Sequence, residues 1–404
     1  MIENLKQKAN ELKENIVDFT QKLIQVQSLS GNEEHIAELI AYQLKNLGYD
    51  EVFLDEVGNI TGIIKGELEN KDIVFSAHLD HSIPVEKNLW EHEPYSGFSD
   101  DEFIYGVGAS DCKSAISAQI YTGYILKNLG LLKKGNYIVS FTVQEGSATC
   151  FGTKYLYKNT FKEKDINPKL VVLGNASSLN INIGHKGRLE IEIVVYGRTN
   201  HSIIPKLGIN AIYKANQVIR AIEDLADTLP VHSMLGDSSI AVTNIKTLPD
   251  TISVIPDRCI LSIDRRFLPF ETLEEVIGQL QAILDKIAQE DSTFKAEINI
   301  KKEIITSYTG FKEDSEKIML PFLTNPEADT IKNIFFELKK LNEHTNFSSW
   351  YFNTDGGYIG SFLKIPTIGY SAGEEKYYET PFEKVSIKNI LENIVGNCLI
   401  YNVY

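Results

Sequence analysis

The stretch Ile73–Asp80, IVFSAHLD, decides the fold of this 404-residue chain. It opens with a short apolar run that is typical of a buried strand, and His78 and Asp80 follow where that strand should end. Two more apolar runs end in the same way, with Glu145 in TVQEG and Asn175 in LGNAS. Helical segments separate the runs, which predicts a mostly parallel, doubly wound sheet with helices on both faces. Side chains at the carboxyl ends of such strands meet at one edge, where ligands bind.

The remaining segments predict a second domain. We expect long helices at both ends of the chain, the first over residues 2–27, and a short helix over 152–159. From residue 184 the pattern changes to alternating charged and apolar residues, as in LEIEIVVY, which is typical of a half-exposed strand. The order strand, helix, strand, strand, helix, strand then predicts a ferredoxin-like α+β domain. We place this inserted domain at residues 184–302 and the catalytic α/β domain at residues 1–183 and 303–404.

The composition excludes several classes of partner. The formal net charge is −15 at pH 7, which repels nucleic acid and anionic membranes. No apolar stretch approaches the roughly 18 residues that span a membrane, and the charged N-terminal segment has no apolar core like that of a signal peptide. We therefore expect a cytoplasmic protein that acts on a small molecule. The four cysteines form no C-x-x-C pair, which predicts free, buried thiols.

Short motifs that span the whole chain carry a family resemblance. They are HLDHSIP from His78, LWEHEPYSG from Leu89, GVGASDCKS from Gly106, GHKGRLEIEI from Gly184, GRTNHS from Gly197 and IPTIGYSAG from Ile365. In this order they resemble the M20 amidohydrolases, the ArgE, DapE and carboxypeptidase G-like family, and especially its YgeY-type branch. The resemblance implies a hydrolase for amide or related acyl C–N bonds of small, carboxylate-bearing molecules such as N-acyl amino acids or dipeptides. It also implies a homodimer formed through the inserted lid domain.

The resemblance assigns catalytic and substrate-binding roles. Glu145 matches the general base, which takes a proton from water and passes it to the leaving amine. Asp80 matches the acid that orients a metal-binding histidine. His201 matches a histidine, often of the partner subunit, that stabilises the oxyanion. Arg266 and Gly373 match substrate-binding positions, and Arg266 would hold the substrate carboxylate.

The metal ligands depart from the family pattern. His78 matches a ligand of one zinc ion, and Asp111 matches the carboxylate that bridges two. The second glutamate after the base is replaced by Gly146, a glutamate ligand is replaced by Asn175, and the last histidine ligand is replaced by Glu379. Catalytic zinc usually has three protein ligands, and neither remaining set reaches that number unaided. We therefore expect no intact dinuclear zinc site.

Several alternatives stay open. Cys112 and His81 flank the site and are candidate extra ligands, while Glu379 suits a harder ion such as Mn²⁺ or Mg²⁺. The cofactor is then one divalent ion (Zn, Mn or Mg) or none. The favoured interpretation is a diverged amidohydrolase that relies on Glu145 and His201. The others are an orthodox metal-dependent hydrolase with substitute ligands, a metal-free acyl-transfer or condensation enzyme, and a non-catalytic binding protein.

Overall fold

The computed structural model describes residues 1–68 and 71–403. Its α-helices are α1 (Ile2–Glu11), α2 (Lys13–Gln25), α3 (Glu34–Asn46), α4 (Ser114–Asn128), α5 (Phe151–Tyr155), α6 (Phe161–Glu163), α7 (Ala211–Ala226), α8 (Leu273–Glu290), α9 (Asp329–Leu341) and α10 (Ile387–Val403). Its strands are β1 (Glu51–Leu54), β2 (Ile60–Ile64), β3 (Asp72–His78), β4 (Phe103–Tyr105), β5 (Tyr137–Thr142), β6 (Pro168–Leu173), β7 (Ile181–Asn182), β8 (Gly184–His185), β9 (Gly187–Tyr196), β10 (Asn200–His201), β11 (Val231–His232), β12 (Gly236–Asp237), β13 (Ser239–Leu248), β14 (Val254–Ile255), β15 (Arg258–Phe267), β16 (Lys295–Ile300), β17 (Lys302–Thr306), β18 (Lys312–Glu316), β19 (Ile318–Met319), β20 (Phe322–Leu323), β21 (Phe347–Ser348), β22 (Thr367–Gly369) and β23 (Lys384–Ser386).

The larger sheet has the strand order β1-β2-β5-β3-β6-β22-β7-β21 in the described residues. Its centre, β5-β3-β6-β22, is parallel, while β1 and β2 add an antiparallel edge. Because β3, β5 and β6 run in the same direction, the segments after their carboxyl ends emerge side by side. The α/β fold class predicted from the apolar runs is confirmed.

Strand β3 lies between two cores. Successive side chains of a strand point to opposite faces. Phe75 and Ala77 pack in the core that contains residues of α1 to α4 and α10, while Val74 packs in the core with Leu156 and Phe161. Every residue of β3 is buried, which explains why its sequence is a continuous apolar run rather than an alternating one.

The inserted domain has a four-stranded antiparallel path, β13-β15-β9-β16, with β19 also paired to β9. Burial alternates along β9, as the charged and apolar pattern predicted. Helices α7 and α8 pack on its apolar face through a core that includes Ala215, Val218, Leu280 and Leu284. A capping box between Thr272 and Glu275 begins α8. The strand–helix–strand–strand–helix–strand order is therefore as predicted.

Two helix predictions are wrong in detail. The helix expected over residues 2–27 is two helices, because the chain turns at Leu12, whose N–H donates to Ala9 O rather than to the residue four back. Neither proline nor glycine occurs there, so the sequence carries no stop signal. The helix expected over 152–159 begins at Phe151 and continues through a π-helical segment and α6 to Glu163.

The β17–β18 hairpin was not predicted. Its strands are mostly charged and exposed, so they lack an apolar signal. The carbonyl of Thr306 accepts a hydrogen bond from Gln144 Nε2 at 2.8 Å, which places the hairpin beside the loop that carries Glu145. The domain bounds stay a prediction.

Two further features bear on the sequence expectations. Within the described ranges, no helix is both long and apolar enough to cross a membrane. The four cysteines are all buried and free, as expected from their spacing.

Candidate active site

A cavity of about 180 Å³, the active-site cavity, opens at the carboxyl ends of β3 and β5. Its lining includes most of the residues singled out in the sequence, namely His78, Asp80, His81, Asp111, Glu145, Gly146 and Glu379. These residues come from four separate segments of the chain. The segments with His78 and Glu145 leave the neighbouring parallel strands β3 and β5 at the same edge of the sheet. The segment with Asp111 instead follows β4, which pairs with β23 in a separate two-stranded sheet.

His78 is held between two acidic residues. Its Nδ1 lies 2.8 Å from the carbonyl oxygen of Asp80, and its Nε2 lies 3.3 Å from Asp111 Oδ2. Burial lowers the pKa of His78, but Cys112, Glu145 and the two aspartates outweigh it, so the pKa stands well above its usual value. The backbone contact at Nδ1 orients the ring and leaves Nε2 facing the cavity.

Asp80 organises the loop that carries Glu145. Its carboxylate accepts hydrogen bonds from Glu145 N at 3.1 Å, Gly146 N at 2.9 Å and Ser30 Oγ at 2.6 Å. Burial raises the pKa of Asp80, but His78 and these donors lower it below its usual value overall. Asp80 therefore links the histidine and the glutamate through one rigid carboxylate.

Glu145 is half-buried, while its Oε1 is buried and has no hydrogen-bond partner in the described part of the chain. Burial raises its pKa well above the usual value; His78 opposes this shift and the neighbouring acids, Asp355 first, add to it. The flanking backbone is strained, because Gln144, Ala148 and Cys150 all have left-handed conformations, with φ of 61°, 55° and 54°. Strain and an unsatisfied buried acid in one loop are typical of a functional site.

Asp111 is held by a hydrogen bond to its carboxylate and one from its own backbone N–H. Its Oδ1 accepts from Ala176 N at 2.7 Å, and its own N–H donates to Glu383 Oε1 at 3.3 Å. Glu383 also accepts from Ser110 N at 3.1 Å, and burial raises its pKa to about 8. These contacts leave Asp111 Oδ2 directed toward His78.

The residues present do not fit a pair of zinc ions. Gly146 has no side chain, and a Cβ there would lie only 2.9 Å from Ser30 Oγ. Asn175 donates through Nδ2 to Asp111 Oδ2 at 3.5 Å, so its amide turns a donor rather than a ligand toward the site. Glu379 is exposed at the cavity rim, where a serine hydroxyl donates to it. Beyond Asp111, the second ion would find no buried carboxylate or imidazole at the replaced positions.

One divalent ion does fit. The ligand atoms of His78, Asp111 and Cys112 lie within 4.8 Å of one another, and all three residues are buried. Three protein ligands with an open position are typical of a catalytic zinc site. The thiol of Cys112 donates to His78 O at 3.2 Å, and burial raises its pKa to about 11, so an ion would have to displace the thiol proton.

His81 is not available as a ligand in this structure. The N–H of Ser28 donates to Nε2 at 3.0 Å, and Nδ1 lies 2.8 Å from Ser82 O. Burial, aided by the charge of Lys113, lowers the pKa of His81 to about 4. Both ring nitrogens have backbone partners, so no lone pair faces the cavity.

Five predicted site residues lie outside the cavity lining: Cys112, Asn175, His201, Arg266 and Gly373. His201 is exposed on β10 of the inserted domain. Arg266 donates to Asn353 Oδ1 at 2.7 Å and to Asp264 Oδ1 at 2.6 Å. Gly373 packs behind the site, where a Cβ would lie 1.8 Å from Ser110 O. The structure therefore gives Gly373 a packing contact rather than a place in the cavity.

The structure adds Asp355, which the sequence did not single out. Its Oδ2 accepts from Thr142 Oγ1 at 3.1 Å and from Thr153 Oγ1 at 2.5 Å, while its buried Oδ1 has no partner among the described residues. Burial raises its pKa, although the threonines oppose that shift. No apolar strand precedes NTDGG, so the strand-end rule could not find this residue.

Glu33 is a second buried acid that the sequence did not reveal. Its Oε1 accepts from Gln144 N at 3.0 Å, directly beside Glu145, and its Oε2 has no partner in the described chain. Burial, with the charge of Asp80, raises its pKa to about 7. In the sequence Glu33 has the pattern of an ordinary first-turn helix residue.

Glu33→Gln is expected to stabilise the protein at high pH. The pKa of Glu33 in the folded state lies above its ordinary value of 4.5, so the folded state binds the extra proton and wild-type stability falls as pH rises from 4.5 to about 7. Glutamine keeps the acceptor and carries no charge. The gain in the free energy of unfolding, at most about 3 kcal/mol, should appear as a higher thermal midpoint of the variant at about pH 8 and should shrink toward pH 5. The exposed Glu34→Gln is the matched control; a pH-independent effect of Glu33→Gln would contradict the assignment.

Comparisons with known proteins agree with this geometry. The family model named "Peptidase dimerisation domain", of the M20 peptidases, matches residues 183–292. The YgeY protein of Escherichia coli strain K12 is 28% identical over 380 residues, which are 94% of this chain and 91% of YgeY. The chain resembles the M20 peptidases in this domain and YgeY over nearly its whole length. A succinyl-diaminopimelate desuccinylase from Nautilia profundicola is 25% identical over 350 residues, 85% of this chain and 86% of that protein.

The M20 fold is also found in solved structures. A Bacillus subtilis protein, described as a dinuclear metal binding peptidase of the M20 family, superimposes with a TM-score of 0.72 at 14% identity and covers 98% of each chain. At 14% identity, the similarity between the two proteins shows a shared fold and nothing further. The present chain has the same architecture.

Proposed function

We propose that this protein hydrolyses an amide bond in a small, carboxylate-bearing substrate, an N-acyl amino acid or a dipeptide-like molecule. The observation that carries the proposal is Glu145, which lines the cavity with His78 and Asp111 and has a buried, unpartnered Oε1. A glutamate in this setting can accept a proton from water, which a surface carboxylate does poorly at neutral pH.

The reaction balances with Glu145 alone as the proton carrier. As a water oxygen bonds to the amide carbonyl carbon, Glu145 takes the water proton. The same proton passes to the amide nitrogen as the C–N bond breaks, so the products are a carboxylic acid and an amine. Asp80 is the positioning residue for this step, because it holds the Glu145 N–H and also the His78 ring.

A single divalent ion is part of this proposal. His78, Asp111 and Cys112 would hold it, and it would act as a Lewis acid on the substrate carbonyl. Asp355 lies near enough to raise the pKa of Glu145 further. We take Zn²⁺ as the first candidate because a thiol and an imidazole are softer ligands than Mn²⁺ or Mg²⁺ prefer.

Arg266 remains our proposed anchor for the substrate carboxylate. It lies at the junction of the two domains, where its guanidinium reaches Asn353, two residues before Asp355. Its present partner Asp264 is half-buried on the same strand. A carboxylate ligand would compete with Asp264 for the planar donors of the guanidinium, which suits bidentate recognition.

A homodimer would explain why His201 is exposed. The side chains around it form an apolar patch: Ile203 is 77% exposed, Leu207 60%, Tyr213 73% and Ile252 fully. Such patches usually mark protein–protein contacts. We propose that this patch, together with the matched dimerisation domain, pairs two chains and presents His201 to the other active site.

Leu207→Asp combined with Tyr213→Asp is expected to shift the protein from dimer to monomer. Two charges in an apolar interface are left unpaired and desolvated, which opposes association. Light scattering coupled to gel filtration would give the mass. Tyr42→Asp, at an equally exposed position on α3, is the matched control and should stay dimeric. A wild-type monomer at assay concentrations would rule out the trans role of His201.

A substrate panel tests the function itself. Release of the free amine from N-acetyl, N-succinyl and N-arylacyl amino acids and from dipeptides would be followed, with and without added Zn²⁺, Mn²⁺ or Mg²⁺. Turnover of at least one member, lost in Glu145→Gln, supports the proposal. If a compound of the panel binds saturably but no compound is cleaved, the protein is a binding protein instead.

A further inference from the structure

Apart from the acids, five of the described residues that line the active-site cavity have a side chain that can donate a hydrogen bond. They are His78, His81, Ser82, Trp90 and Tyr378. Both ring nitrogens of His81 have backbone partners, and His78 is the residue that we assign to the ion. The Ser82 hydroxyl donates to Glu379, and Trp90 Nε1 donates to Val85 O at 3.1 Å. Four of the five donors are therefore already committed.

Tyr378 is the remaining donor, and it is held in place without the use of its hydroxyl. The side chain is half-buried, and its ring packs against Phe352 with ring centres 4.9 Å apart. The backbone N–H of Tyr378 donates to Glu375 O at 3.1 Å. The structure records these two contacts but no hydrogen bond from the hydroxyl to another described residue. The ring is thus fixed while its polar end stays available to a ligand.

The hydroxyl of Tyr378 faces the groups that surround the reaction. Burial raises the pKa of Tyr378, the charges of Asp111, Glu145 and Glu379 raise it further, and His78 opposes them. Because the hydroxyl is the titrating group, these four influences place it on the cavity side of the ring. A phenol of ordinary pKa, about 10, is protonated at neutral pH, so this hydroxyl is a donor and not a base.

The cavity is a poor place for negative charge without such a donor. Its lining includes the carboxyl groups of Asp80, Asp111, Glu145 and Glu379. When a water oxygen bonds to an amide carbonyl carbon, an electron pair of the C=O bond moves to the carbonyl oxygen, which becomes negative. His201, the donor that the family resemblance implies for this charge, is exposed on β10 outside the cavity. The cavity wall itself offers Tyr378.

We propose that Tyr378 is a catalytic residue that donates a hydrogen bond from its hydroxyl to the carbonyl oxygen of the scissile amide as that oxygen becomes negative. The phenolic proton stays on Tyr378 throughout. The electron pair returns to the C=O bond as the C–N bond breaks, and Glu145 alone carries the proton from water to nitrogen. The proposal rests on the proposed function, since it takes the amide to lie at Glu145. It places an oxyanion donor in the same chain as the base.

Tyr378→Phe removes the hydroxyl and keeps the ring that packs against Phe352. For the panel compound with the highest kcat/KM, the zinc-loaded variant should lose about 10²–10³-fold in kcat, the effect of removing one oxyanion donor. KM should change by less than about threefold, because this hydrogen bond strengthens only in the transition state. Tyr377→Phe, one residue away and outside the active-site cavity, is the matched control and should keep the wild-type kcat.

A binding measurement separates a catalytic hydroxyl from a structural one. The probe is a phosphinate analogue of the same compound, which carries a negative oxygen on a tetrahedral centre in place of the amide carbonyl. By calorimetry, Tyr378→Phe should lose affinity for the phosphinate by about the factor that it loses in kcat/KM, as expected of a transition-state analogue. Elemental analysis should give the wild-type ion content. Loss of the ion, or a lower kcat with undiminished phosphinate affinity, would overturn the proposal.

The kinetic outcomes also separate this proposal from the proposed function. If wild type cleaves no compound of the panel, the proposed function and the role of Tyr378 are both wrong. If wild type cleaves a compound and Tyr378→Phe keeps its kcat within about threefold, Tyr378 is not the oxyanion donor and the proposed function stands.

Discussion

Glu145→Gln is expected to lower kcat by about 10²–10⁴-fold, the range that general acid–base catalysis supplies. Glutamine has the same shape but cannot take a proton from water or return one to the leaving nitrogen. Asp80 bonds to the backbone N–H of residue 145 rather than to its side chain, so the loop should keep its conformation. KM should change little, because the loss falls on the transition state. Amine release under saturating substrate is the measurement.

A matched variant distinguishes chemistry from loop damage. Gln144→Glu lies one residue away and replaces an amide by a carboxylate, the reverse of Glu145→Gln. The Gln144 side chain contacts Thr306 O in the β17–β18 hairpin. We expect it to loosen that contact and to lower the thermal midpoint, with kcat affected far less than in Glu145→Gln. A Glu145→Gln enzyme with wild-type kcat would eliminate Glu145 as the base and, with it, the mechanism proposed here.

The purified protein is expected to bind about one divalent ion per chain, and Cys112→Ser should weaken that binding strongly. A serine hydroxyl is a harder and poorer ligand for zinc than a thiolate. Loss of a ligand should cost at least the 10–100-fold that loss of an outer partner costs. Elemental analysis gives the stoichiometry, and titration against a competing chelator gives the affinity.

Cys398→Ser is the control for the metal experiment, since Cys398 is an equally buried thiol in the core away from the cavity. It should leave the ion in place. Two tightly bound ions per chain would contradict our reading of Gly146 and Asn175. Full activity of a metal-stripped protein would instead favour the metal-free acyl chemistry that the sequence left open.

The centre of the site could be predicted because the sequence signals that mark it span only a few residues each. His78 and Glu145 each follow a buried parallel strand, and strand periodicity can be read over a few residues. The prediction that no intact second metal site exists also rests on a local feature, because Gly146 has no ligand atom whatever its surroundings. The break between α1 and α2 at Leu12 could not be predicted, since the sequence has no helix stop signal there. The β17–β18 hairpin could not be predicted either, since its charged strands have no apolar pattern.

The acids that support the site come from distant parts of the chain. Glu33 reaches Gln144 across 111 positions, and Asp355 reaches Thr142 across 213. Their hydrogen-bond partners depend on how helices and loops pack on the sheet. The spacing of residues along one sequence does not give the distance in space between such remote positions. The same holds for Cys112, whose thiol turns toward His78 rather than away from it.

By itself, the sequence determined the doubly wound sheet, the inserted domain and the group formed by His78, Asp80, Asp111 and Glu145. The sheet and the positions of His78, Asp80 and Glu145 follow from apolar periodicity and from the rule that parallel strands end at one edge, whereas Asp111 was identified through the family resemblance. Only the tertiary structure decided that both ring nitrogens of His81 have backbone partners, that Gly373 packs behind the cavity and that Asp355 joins the site. Those features depend on burial and on contacts between remote segments, which arise only when the chain is packed.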